Sequence, residues 1–126
     1  MSSKFVRGYY VSGCNHSGSR PLFYKSLGLC KGTVNIKLPE DTSESLIIPS
    51  ERREGLDPID LEAKQAFLIR ACRLKGVDGY QVLPIDKTTN EPKGHHLSKI
   101  IEISLRNKIE LTPNEELEVE LQGFEN

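Results

Sequence analysis

A chain of 126 residues with 37% hydrophobic and 28% charged residues has the size and composition of one globular domain, expected to span 1–126. Lys and Arg number 17 against 18 Asp and Glu, a net charge of −1 that lacks the basic excess a general nucleic-acid binder needs. No apolar run approaches the ~20 residues of a bilayer span, and Met1-Ser2-Ser3-Lys4-Phe5 carries no apolar signal region, so a cytoplasmic protein without membrane contact is expected.

Phe5–Ser12 reads as a first strand, favoured by Tyr9, Tyr10 and Val11, with Gly8 marking a bulge or a close backbone approach. Gly13–Ser19 follows as a small polar loop. Pro21–Leu27 predicts a short helix capped by Ser19 and stopped by Gly28. Val34–Leu38 alternates as a second strand. Residues 39–60 read as a long irregular excursion holding one short strand, Leu46-Ile47-Ile48-Pro49.

Asp60–Ala66 has helix propensity, and Ala66–Leu74 either continues that helix or forms a strand. The turn chemistry of Lys75–Gly79 and the strand pattern of Tyr80–Ile85 favour a hairpin. Asp86–Gly94 is a polar loop. Ser98–Leu105 is a strand with Ile101, Ile103 and Leu105 on one face and Ile100, Glu102 and Ser104 on the other. Pro113–Glu116 turns into the alternating final strand Leu117–Leu121. The chain is therefore mostly β. Closing its strands into a barrel removes exposed edges, and the core rests on Ile, Leu and Val, since there is no Trp and only four Phe. Cys14, Cys30 and Cys72, odd in number and widely spaced, read as free thiols.

The chemistry concentrates at Gly32-Thr33-Val34-Asn35-Ile36-Lys37-Leu38. Period-two alternation sends Val34, Ile36 and Leu38 to one face and Thr33, Asn35 and Lys37 to the other. Thr33 and Asn35 then offer two neutral oxygens about 7 Å apart at their Cα atoms. Such donors suit Mg²⁺ that shares its coordination with water and nucleotide phosphates. The same pair is also ordinary on the solvent side of a half-buried strand. In Gly13–Ser19, backbone N–H groups and the hydroxyls of Ser12, Ser17 and Ser19 suit phosphate oxygens, although the loop is neither a P-loop nor a dinucleotide fingerprint. Cys14, His16, His95 and His96 match no common zinc spacing. A carboxylate at Glu102, between Ile101 and Ile103 in mid-strand, needs water or a partner.

Taken in order, these motifs resemble the archaeal CTP-dependent riboflavin kinases. Gly8-Tyr9-Tyr10-Val11-Ser12-Gly13 is similar to that family's first strand entering its glycine-rich loop. Leu27-Gly28 followed by Gly32–Leu38 resembles its Leu-Gly and Gly-Thr-Leu-Asn-type elements. Val82-Leu83-Pro84 resembles its Val-Leu-Pro strand, and Ser98–Ile103 with Leu111–Leu121 its closing strands. The resemblance spans nearly the whole chain. It implies a small, closed six-stranded cradle-loop β-barrel with one or two short helices. It also implies Mg²⁺-dependent transfer of the CTP γ-phosphoryl group to the 5′-hydroxyl of riboflavin, giving FMN.

By the same resemblance Thr33 and Asn35 hold the metal. Ser12, Gly13 and Gly18 would cradle the nucleotide, with Lys37 and His96 as further phosphate donors. Glu102 is a candidate base by its position. CTP and riboflavin are the expected partners, on a monomer or weak homodimer. The loop departs from the family in reading Gly13-Cys14-Asn15-His16-Ser17-Gly18, with fewer glycines. That departure admits an inactive nucleotide- or flavin-binding barrel, or a relative with another acceptor, as the second reading. A third is a structural barrel that pairs with a partner through an exposed edge.

Overall fold

The chain forms seven antiparallel strands: β1 (Ser2–Cys14), β2 (Thr33–Lys37), β3 (Glu51–Leu56), β4 (Lys64–Leu74), β5 (Val77–Ile85), β6 (Ile100–Leu105) and β7 (Glu116–Phe124). Two short helices, α1 (Pro21–Ser26) and α2 (Glu44–Ile47), accompany them in the computed structural model, which describes residues 2–14, 21–30, 32–56, 64–92 and 98–124. Six strands close in the order β4-β5-β6-β2-β1-β7. The ring shuts where Cys72, Arg73 and Leu74 of β4 pair with Leu121, Glu120 and Val119 of β7. β3 lies outside the ring and pairs with the first half of β4, from Lys64 to Ile69. The fold is thus the expected six-stranded barrel with two short helices, plus one outer strand.

Ile36, Ile103, Val119 and Leu121 fill the barrel with no exposed surface, joined by Val6, Leu74, Ile101 and Leu117. A second cluster forms outside the wall, where α1 lays Phe23 and Tyr24 over Phe67, Ile69 and Val82. The Phe23 ring stacks on Phe67 with centroids 4.0 Å apart. The helix ends at Ser26, one residue short of the expected Leu27, and Gly28 stops it as predicted. Leu29 N–H donates to Tyr24 O and Gly28 N–H to Lys25 O, the paired bonds of a Schellman cap.

Several elements differ from the sequence reading. β1 runs on through Cys14, so the polar loop starts later than Gly13. Gly8 marks a close approach, since a Cβ there would sit 2.4 Å from Lys37 O, while the register shift falls between Tyr10 and Ser12. Leu46–Pro49 is not a strand. Its first two residues belong to α2, and Leu46, Ile47 and Ile48 all pack on the interior cluster, which strand alternation would forbid. β3 was unforeseen within 39–60. Its side chains are largely exposed and pair along the strand, Arg53 with Glu51 and Arg52 with Glu54, so it carries no apolar alternation.

The helix alternative after Asp60 fails from Lys64 onward, where β4 begins; residues 57–63 lie outside the described residues. The hairpin is tighter than predicted. Leu74 pairs with Val77 around Lys75-Gly76, both at positive φ as a type I′ turn requires. Gly79 therefore sits inside β5.

Candidate functional site

Interior packing fixes what the outer face of β1, β2 and β6 presents. With Ile36 and Ile103 locked inside, Thr33, Asn35 and Lys37 of β2 must face outward. In register, Ser12 of β1 stands opposite Asn35, and Asn35 stands opposite Glu102 of β6. Ser12, Asn35 and Glu102 thus form one row across three strands, with neighbouring Cβ atoms about 4.5–5.5 Å apart.

This face is not the solvent side that the simple strand pattern allowed. Thr33 is only 5% exposed and Asn35 only 8%. Asn35 Nδ2 donates to Ser12 Oγ at 3.0 Å, which fixes the amide plane. Asn35 Oδ1 is buried and accepts no hydrogen bond among the described residues. Leaving such an acceptor unmade costs about 1–3 kcal/mol, so its retention calls for an explanation. The chain reaches this row through Gly32, whose φ of 108° is left-handed, and Ser104 of β6 fixes that entry by donating to Gly32 O at 3.1 Å.

The remaining candidates are placed unevenly. Thr33 lies on the same face, beside the row, and pairs with Cys14. Gly13 is a strand residue opposite Val34. Lys37 lies the other way along β2, and its Nζ donates to Glu40 Oε1 at 2.9 Å and to Ser98 O. That hydrogen bond and the Lys37 charge hold the Glu40 carboxyl below its usual range. Gly18, His16, His95 and His96 lie outside the described residues.

Beside Glu102 the barrel wall opens. β5 and β6 pair only from Gly79–Gln81 to Leu105–Ile103. Beyond that they part, and a narrow slot lies between Val82, Pro84, Ile100 and Glu102, backed by Ile47 and Gln81. Pro84 suits such a place, since no ladder partner on that side asks for an N–H.

Sequence reasoning missed the polar pair behind the slot. Gln81 is 1% exposed and Arg70 8%, both inside the barrel. Gln81 Nε2 donates to Leu46 O at 3.1 Å and Ile47 O at 2.9 Å, while Arg70 Nη2 donates to Ile48 O at 3.2 Å. The guanidinium also lies 4.5 Å from the Phe124 ring centroid. Burial pushes the Arg70 pKa down. The signal was present, because Arg70 shares a strand face with Ala66, Cys72 and Leu74.

No protein-family model matches the chain, and no curated protein does. Among the described residues no helix is long and apolar enough to cross a membrane.

Proposed function

We propose that the chain is a small kinase that transfers the γ-phosphoryl group of a nucleoside triphosphate, with CTP favoured, to the 5′-hydroxyl of riboflavin. The observation that carries this reading is the buried, unpaired Asn35 Oδ1, aimed by Ser12 and set beside Thr33. An amide oxygen and a threonine hydroxyl on one rigid face fit Mg²⁺, a hard cation bound through oxygen. When bound there, Mg²⁺ would neutralise charge on the nucleotide phosphates.

The chain's own residues supply the rest. Ser12 orients Asn35, and β1 runs on from it through Gly13 to Cys14, beside Thr33. Glu102, directly opposite Asn35, takes the proton of the attacking hydroxyl. The bond between the γ-phosphorus and the β–γ bridging oxygen breaks as the bond to the riboflavin 5′-oxygen forms, yielding CDP and FMN. Glu102 borders the slot between β5 and β6, on the outer face that an acceptor hydroxyl would have to reach.

The test is FMN formation from riboflavin and CTP with and without Mg²⁺. Turnover that requires Mg²⁺ and is lost in a folded Asn35→Ala supports the reading. Flavin- or nucleotide-dependent thermal stabilisation without turnover for any nucleoside triphosphate would replace it with a binding module.

A further inference from the structure

β1 carries the three large exposed hydrophobic side chains found among the described residues: Phe5 at 61%, Tyr9 at 54% and Val11 at 45%. Phe5 and Tyr9 project from one face of the strand, because Val6 and Tyr10 point to the interior cluster, and Val11 lies exposed at the register shift that follows. Neither helix covers them: α1 packs over β4 and β5, and α2 packs on the interior cluster. Both edges of β1 are already paired, to β2 and to β7. A partner must therefore meet this strand face to face, not by adding a strand.

Charge selects the partner. Tyr9 stands between Glu116 of β7 and Lys37 of β2, so one row reads carboxylate, aromatic, ammonium. Phe5 is flanked by Glu120, and Arg7 by Glu118, which it contacts at 3.1 Å. The acidic β7 flank disfavours an anionic lipid surface or a nucleic acid. A second copy of the chain fits instead. With a two-fold axis along β1, between the facing sheets, Phe5 meets Phe5 and Tyr9 meets Tyr9. The flanks are exchanged, so Glu116 of each copy faces Lys37 of the other. Arg7 of each copy then meets Arg7 of its mate, the two guanidinium groups held among Glu116 and Glu118 of both copies. Such self-complementarity is what an isologous two-fold contact demands.

We infer that the outer face of β1 is a homodimer interface built on Phe5, Tyr9 and Val11. The stripe from Phe5 to Val11 is about 20 Å long, from the strand rise of about 3.3 Å per residue. Three strands give it a width of about 15 Å, so it lies below the ~800 Å² per partner of a standard interface, and the dimer is weak. Ser12 and the Asn35 row lie at its rim, which leaves the proposed kinase site open in the dimer. This inference does not depend on the kinase reading.

Sedimentation velocity from about 10 μM to about 1 mM tests it, the range in which an interface of this size associates. The wild-type mass should rise from monomer toward dimer. Phe5→Glu and Tyr9→Glu, exposed positions whose folding is checked by circular dichroism, should stay monomeric throughout. Glu116→Lys should move the midpoint at least ~10-fold upward in concentration. A wild type that stays monomeric to about 1 mM overturns the inference, as does a dimer indifferent to both aromatic substitutions. Tyr9-dependent co-sedimentation of a monomer with phosphatidylcholine vesicles would assign the face to lipid and equally overturn it.

Discussion

Replacing Asn35 by leucine should make the free protein more stable while removing its proposed activity. The two side chains have similar volume, so the packing around a residue that is 8% exposed changes little. The substitution removes the orphaned Oδ1, whose desolvation costs about 1–3 kcal/mol. It also removes the Nδ2 bond to Ser12 Oγ, worth about 0.5–1.5 kcal/mol. Ser12 is exposed, so its hydroxyl turns back to water and the loss falls at the low end. Asparagine is disfavoured in strands, and leucine in its place adds a few tenths on a scale that spans about 1 kcal/mol. The balance is a gain of about 1–2 kcal/mol, or roughly 3–6 °C in melting temperature per kcal/mol for a chain of this size. Urea unfolding followed by circular dichroism measures it, in buffer without divalent cations. In Mg²⁺ and CTP the wild type should gain stability and the variant should not. A variant destabilised by more than about 1 kcal/mol would refute the premise that Asn35 is held against its own folding interest.

Inside the barrel, Gln81→Leu strands the carbonyls of Leu46 and Ile47 and one Arg70 N–H, and should cost about 3 kcal/mol in urea unfolding. Arg70→Met strands fewer groups and removes a buried charge, so it should cost clearly less; the opposite ranking would refute this account of the network. Lys37, Arg52 and Lys75 hold Glu40, Glu54 and Glu115 below the usual carboxylate range. Their contribution is complete above that range and is lost as pH falls through the lowered folded values. Glu40 and Glu54 are exposed and Glu115 is half-buried, so the urea midpoint should decline only shallowly on acidification, and added salt should flatten the decline. Burial, with Asp78 nearby, pushes the Cys72 thiol up to about 12. A disulfide reagent at mildly alkaline pH should therefore label Cys72 only after unfolding, and rapid labelling of the native protein would contradict its burial.

What the sequence disclosed follows which side chains touch the core. β2, β6 and β7 alternate because one face of each fills the barrel, and Val34, Ile101 and Val119 announced it. β3 gave no such signal, since Glu51, Arg52, Arg53 and Glu54 lie exposed on a strand outside the ring. α2 misled for the opposite reason. Leu46, Ile47 and Ile48 all turn toward one core, which a consecutive apolar run cannot distinguish from a buried strand. At the site, the motif named Thr33 and Asn35 and alternation put them on one face. The pairing of Asn35 with Ser12 depended on a register shift in β1 that no local pattern shows, and its pairing with Glu102 on the register of β2 against β6. The burial of that face was likewise invisible, because alternation tells which way a residue points and not what lies over it.

That register also explains why a polar row can sit on a barrel this small. Ser12, Asn35 and Glu102 come from three strands, and a one-residue slip of β2 against either neighbour would send Asn35 inward and Ile36 outward. Ile36 and Leu38 resist the slip, since each is at most 1% exposed and would have to leave the core. Fully burying one such side chain is worth about 1.5–3 kcal/mol, so exposing the two outweighs the roughly 1–3 kcal/mol stored in the orphaned Asn35 oxygen. The interior therefore holds an energetically unfavourable acceptor in place on the outside. Conservative changes in the core should lower stability without moving the row. Changes in the row should alter ligand response and leave the barrel closed.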